Sequence, residues 1–149
     1  MNTHMSDAHP VPCGRARTAV RLLLGSALSY AGVTHLTSAR EEFRAQVPSW
    51  VPVSEDATVL ASGVTEIALG AALLSGRRQR VVGDVVAAFF VAVFPGNVAQ
   101  WRNKRDGFGL DTDRKRLLRL PFQIPLIVGA LWSTRGRRPV RHPSPEQSV

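Results

Sequence analysis

Apolar residues along this chain fall into four blocks: Ala19–Leu36, Ala57–Leu74, Val81–Val98 and Leu117–Trp132. Between them lie a loop of about twenty residues, a tight SGRRQR turn and a long charged linker. Blocks of this length predict helices of up to ~27 Å, close to the thickness of a bilayer's hydrocarbon. A helix in a water-soluble bundle keeps a polar stripe toward solvent, and the second and third blocks have almost none. The pattern therefore predicts an all-α protein, a four-transmembrane-helix antiparallel bundle over residues 18–133. A flexible tail is expected over residues 1–17 and a disordered basic tail over 134–149. The SGRRQR turn is too short to let the second and third helices be anything but antiparallel neighbours.

Several residues punctuate this plan. Arg21 stands in the first turns of the first helix, where its long side chain can snorkel to the headgroups. A competing reading makes that block a cleaved signal peptide, with Arg15 and Arg17 in front and Ser29-Tyr30-Ala31 as the small-residue site. In the first loop, Phe43, Pro48, Trp50 and Pro52 suggest an interfacial connector, since tryptophan favours the headgroup level. Pro95-Gly96-Asn97 is expected to bend or end the third helix, and Pro121 and Pro125 interrupt the fourth.

Charge changes the picture less than its size suggests. Nineteen Lys and Arg stand against eleven Asp and Glu, a net +8, which in a soluble chain would raise nucleic acid as a partner. Here the arginines gather at the ends of apolar blocks rather than along one face, which suits lipid headgroups and excludes a nucleic-acid surface. Mean hydropathy is near zero only because charged tails and one linker offset the apolar blocks. Cys13 is the single cysteine, so neither an intrachain disulfide nor a thiolate metal cluster can form. With both termini cytoplasmic the inner side would carry ten basic residues and the outer side nine, so counting barely orients the chain. The acidic first loop and the compact basic turn favour termini inside.

Threaded up and down, the blocks bring their polar residues to one end. His35 closes the first, Asn97 and Gln100 close the third, and Arg119 and Gln123 open the fourth. Glu66 lies ~13 Å into the second helix from that end. A carboxylate at such depth costs about 2.5–3.5 kcal/mol on insertion scales and so normally faces a partner or cavity. Thr58, Ser62, Glu66 and Gly70 recur every four residues, as do Asp84, Ala88, Ala92, Gly96 and Gln100, and both sets read as inward, small-residue stripes. Asp84, at the opposite end, reads as half of an interfacial ion pair beside the arginine turn. Two readings of the polar set stand side by side. In one, Glu66 and His35 pack and hydrogen-bond as glue, and the amides satisfy carbonyls freed by the prolines. In the other, they line a pocket in which Glu66 and His35 carry the proton chemistry while Asn97, Arg119 and Gln123 bind. No metal-ligand set, paired Glu-x-x-His pattern, haem signature, dinucleotide fingerprint or phosphate loop accompanies them.

The motifs AGVTHL, VPSWVP, SGVTEIALGAALL, FVAVFPGNVAQW and RLPFQIPL resemble the DoxX and DoxX-like family of small bacterial membrane proteins, over most of residues 18–133. The resemblance implies a multi-pass protein of the bacterial cytoplasmic membrane. Some relatives are linked to thiosulfate oxidation with quinone as acceptor, others to oxidative-stress redox complexes. It carries the polar pattern onto His35, Glu66, Asn97, Arg119 and Gln123, with quinone as the implied cofactor and the lipid bilayer, a protein partner or a second copy as company. The basic linker between the third and fourth blocks departs from that pattern. The alternative from another class is a non-catalytic scaffold that docks a soluble partner through the Trp50 loop or the basic linker at Lys104, Arg105, Lys115 and Arg116. A small carrier or channel is a third.

Overall fold

The structure, a computed structural model, describes residues 13–136, so of the tails expected at 1–17 and 134–149, residues 1–12 and 137–149 lie outside the described residues. The described residues form six α-helices, α1 (Cys13–Leu36), α2 (Arg40–Arg44), α3 (Glu55–Ser75), α4 (Gln79–Arg102), α5 (Asp113–Arg119) and α6 (Gln123–Thr134), the last two joined by a 3-10 turn at Leu120–Phe122. The protein is all-helical, with no strand among the described residues. Residues 13–17, expected in the flexible tail, form the first turns of α1.

Local chemistry sets the ends of these helices. The Ser54 hydroxyl accepts from the Ala57 N–H to cap α3, and Glu55 and Asp56 sit in its first turn, where the helix dipole favours anions. Gly76 ends α3 at φ 68°, a left-handed position that suits a residue without a Cβ. Pro95 lies inside α4, which continues to Arg102, so the helix does not end at Pro95-Gly96-Asn97. The fourth apolar block is interrupted at Pro121, in the 3-10 turn, whereas Pro125 lies in the first turn of α6 and does not break it.

Three helical stretches are long and apolar enough to cross a membrane: Glu55–Ser75, Gln79–Arg102 and the combined Asp113–Thr134. Four were expected. The 24-residue α1 is long enough, but Arg15, Arg17 and Arg21 lower its apolar character and it is not among the three. The outward surface is that of a protein bathed in hydrocarbon. Leu23, Val64, Val81, Val91, Phe122, Ile124 and Val128 are each more than half exposed, while Arg21, His35, Glu66, Gln100, Arg116 and Gln123 are buried. Water would reverse that sorting. These features point to a membrane protein.

α1 lies closest to α3. The buried positions of α1 are Arg21, Gly25, Leu28, Gly32 and His35, and those of α3 are Val59, Gly63, Glu66, Gly70 and Leu73. Both follow the alternating 4-3 spacing of a helix seam, with a glycine every seventh residue. The glycines meet in opposite order: a methyl group added at Gly32 would lie 2.5 Å from the Gly63 carbonyl oxygen, and one at Gly70 would lie 2.7 Å from that of Gly25. Only a missing Cβ permits backbones this close. α4 packs on α6 in the same manner, with Gly83 directly against the Thr134 side chain. Leu28, Leu73, Val86, Ala87, Phe90 and Ala130 form the apolar core, nearest the α3–α4 turn.

Two expectations about side chains are corrected. Arg21 does not snorkel: it is buried, and its guanidinium donates to the Leu73 and Leu74 carbonyls at the end of α3. The last carbonyls of a helix lack the donor four residues on; that of Leu73 is met by the Gly76 N–H together with Arg21, and that of Leu74 by Arg21, so an internal arginine meets a need that lipid cannot. Asp84 does form an ion pair at that end, with Arg135 at 2.7 Å. The α4 stripe does not face inward along its length, because Asp84, Ala88 and Ala92 are exposed while Gln100 is buried. A step of four residues overruns a 3.6-residue turn by about 40°, so four steps carry a stripe from one side of a helix nearly to the other.

The glycine seam yields a prediction. Gly32→Ala should cost about 1–3 kcal/mol through overpacking, read as earlier unfolding of the purified protein in detergent. An alanine at exposed Gly14, where nothing approaches within 4 Å, should leave the transition in place. Equal stability of the two variants would refute the close seam.

Candidate functional site

The end of the molecule away from the α3–α4 turn is hollow. A cavity of about 440 Å³ lies among α1, α3, α4, α6 and the loop after α2, within the range of small-molecule sites. His35, Glu66, Asn97, Arg119 and Gln123 all line it, with Gln46, Thr58 and Ser62 completing its polar wall. The rest is apolar and notably aromatic: Phe43, Trp50, Phe89, Phe90 and Phe108. α3 and α4 share a short turn but touch little, and Ala92 and Pro95 on α4 are both cavity-lining and exposed. The cavity therefore opens along α4.

His35 and Glu66 meet because their helices do. Gly63 sits one turn before Glu66, and a methyl group there would press on the His35 Cβ at 2.8 Å. His35 Nδ1 lies 3.0 Å from Glu66 Oε2 and 2.8 Å from the Ala31 carbonyl oxygen. A carbonyl can only accept, so Nδ1 carries a hydrogen, and that hydrogen is aimed at Ala31. Glu66 Oε2 stands beside the N–H edge, yet it is buried with no hydrogen-bond partner among the described residues. Proximity without alignment leaves this oxygen free to accept from something else. The His35 ring stacks on Phe43, Phe43 meets Phe108 edge to face with centroids 4.5 Å apart, and the Arg119 guanidinium lies 5.3 Å over the Phe108 ring. This aromatic column fixes the imidazole plane and joins α1, α2, the linker and α5 across the mouth of the cavity.

The two amides act differently. Gln123 donates through Nε2 to the Phe90 carbonyl and accepts through Oε1 from Asn97 Nδ2 at 3.4 Å. Proline at 95 deprives Val91 of its helical donor; the carbonyl that Gln123 reaches is the one before it. Arg119 donates from Nη1 to Gln100 Oε1 at 3.1 Å. Gln100 is almost fully buried, and its Nε2 has no partner among the described residues.

Around the mouth, charge is largely neutralised within the chain. Arg40 pairs with Asp56, Arg44 and Arg105 with Glu55, Lys104 with Asp113, and Arg116 with Asp106 and Asp113. The hydrogen bond from Arg40 to Asp56 raises the arginine's pKa above its ordinary value, and the Lys115 hydrogen bond to Asp111 holds that carboxyl below the usual range.

Sequence reasoning singled out five residues, and all five line the one cavity. It passed over Phe108, read Phe43 only as part of an interfacial connector, and read Arg116 as part of a docking linker where the structure buries it. The seven-residue glycine repeat was the available signal for the His35–Glu66 contact. For Phe108 there was none, since its place depends on a left-handed backbone at φ 55°.

Fold and site together define a helical membrane protein with a polar-headed, aromatic-walled cavity among its helices. The chain belongs to the family of the domain of unknown function DUF8561, whose family model matches residues 24–134. That span begins at Leu24 on the cavity wall and includes every cavity residue named above. Comparison with curated proteins returned no match, and comparison with solved structures returned none.

Gln123 provides a second prediction. Gln123→Leu removes the donor to the Phe90 carbonyl and the acceptor for Asn97, and should destabilise the protein by about 1–3 kcal/mol. Substitution of exposed Ile124 by Leu should not. A Gln123→Leu protein that melts with the wild type would show that the amide is not structural.

Proposed function

We propose that the chain is a DoxX-like integral membrane protein of the bacterial cytoplasmic membrane, a four-helix antiparallel bundle whose cavity serves a quinone-linked redox role. One observation carries this reading: five polar residues from five helices line one largely apolar cavity around a carboxyl oxygen with no hydrogen-bond partner among the described residues. In this role Glu66 exchanges protons, His35 sets the polarity beside it, and Asn97, Arg119 and Gln123 orient the oxygen-bearing headgroup of the quinone–quinol couple. The aromatic walls suit a flat ring, and an isoprenoid tail can leave along α4 into lipid.

The fourth span is α1. Its charges are confined to the first turns, and Leu22, Leu23, Tyr30 and Val33 beyond them are exposed. Cytoplasmic termini are supported by which charges are free. At the end with the α3–α4 turn, Arg15, Arg77, Arg78 and Arg80 are exposed with no ion-pair partner among the described residues. At the cavity end most cations are bound in the pairs described above. Free arginines favour the anionic surface of the cytoplasmic leaflet.

The same pairs weigh against the scaffold alternative, because Lys104, Arg105, Lys115 and Arg116 already answer acidic groups of the chain. The test is extraction of the full chain into native nanodiscs and mass spectrometry of the bound lipids. A stoichiometric prenylated quinone, lost in Glu66→Gln with the fold intact, is the expected result. A reproducible soluble protein partner without quinone would overturn the redox reading in favour of a scaffold.

A further inference from the structure

The cavity's polar atoms are mostly engaged. Gln123 and Asn97 bond each other, Gln123 also holds the Phe90 carbonyl, Arg119 holds Gln100, Thr58 donates to the Ser54 carbonyl, and His35 donates to Ala31. Two lining groups are left buried without a partner among the described residues: Glu66 Oε2 and Gln46 Nε2. One is an acceptor and the other a donor. Buried polar groups in folded proteins are otherwise almost always hydrogen-bonded, and Glu66 is only 8% exposed.

We infer that the cavity binds a neutral, ring-bearing amphiphile through a hydroxyl group that donates to Glu66 Oε2, with a second oxygen on the ligand accepting from Gln46 Nε2. Beside the N–H edge of His35, Oε2 is an acceptor, and an acceptor needs a donor from the ligand. This rests on the cavity being a ligand site and specifies what it selects. A quinone has only acceptor oxygens, whereas its hydroquinone donates. Of such a redox pair the site holds the reduced, hydroxyl-bearing member. A simple phenol has the required donor, and its methyl ether has the same ring and oxygen without it. A site built to hydrogen-bond an O–H rejects the analogue that lacks it far more strongly than a merely apolar pocket does.

The experiment is calorimetric titration of the full chain in nanodiscs with 2,3,5-trimethylphenol and with its methyl ether, subtracting the heat of partitioning into empty nanodiscs. The phenol should bind at least tenfold more tightly. Glu66→Met, which keeps the side-chain length and removes the acceptor, should bring the two affinities together. Gln46→Leu should weaken both, because the ether oxygen also accepts. Equal binding of phenol and ether to the wild type would overturn the inference and leave the cavity a ligand site of another kind. Binding of neither would overturn the inference and the ligand-site reading together. If Glu66→Met does not fold, the wild-type ratio of the two affinities still decides.

Discussion

Everything distinctive in this molecule depends on how closely α1 and α3 approach. Gly25, Gly32, Gly63 and Gly70 remove the side chains that would hold the backbones apart, and in lipid, where no hydrophobic force drives helices together, such contact is the main source of cohesion. Two consequences follow from the same seam. At one end Arg21 comes within reach of the α3 carbonyls. At the other, His35 is set against Glu66. Because the seam repeats every seven residues, the histidine and the glutamate occupy equivalent positions on their helices, each one turn beyond a glycine.

That contact also explains why there is a cavity. α1 and α3 form one tight pair and α4 and α6 another, and the apolar core joins them near the α3–α4 turn. Toward the other end α3 and α4 part. Phenylalanines and a tryptophan line the gap without filling it. Polar groups there could not be left to lipid, and most are answered by another side chain or a carbonyl; among the described cavity-lining residues, Glu66 Oε2 and Gln46 Nε2 are buried without a hydrogen-bond partner. An unanswered carboxyl oxygen in a dry, enclosed place is hard to justify as packing alone, and it is what moves the balance from structural glue toward a binding site.

How much of this was legible in the sequence varies by residue. The helices were, since long apolar blocks broken by basic turns leave few alternatives. Glu66 was, since its cost in lipid marks it wherever its helix points. The direction of the α4 stripe was not: a four-residue step drifts around the helix, and only packing decides which of its members faces inward. Arg21 misled because snorkelling and capping a neighbouring helix make the same demand on a sequence. Phe43 and Phe108 stand in connectors whose course follows from tertiary contacts, here the ion pairs of Glu55 and Asp106, and local propensity carries no trace of it.

The central claim is that Glu66 is a buried carboxyl group reached from the lipid side through the cavity. Its most direct measurement is carbodiimide labelling of the protein in membranes, with adducts located by mass spectrometry. The account predicts that lipid-soluble dicyclohexylcarbodiimide modifies Glu66 while a water-soluble carbodiimide modifies only the exposed carboxylates of the loops. Glu66 untouched by the lipid-soluble reagent, or labelled equally by both, would contradict it.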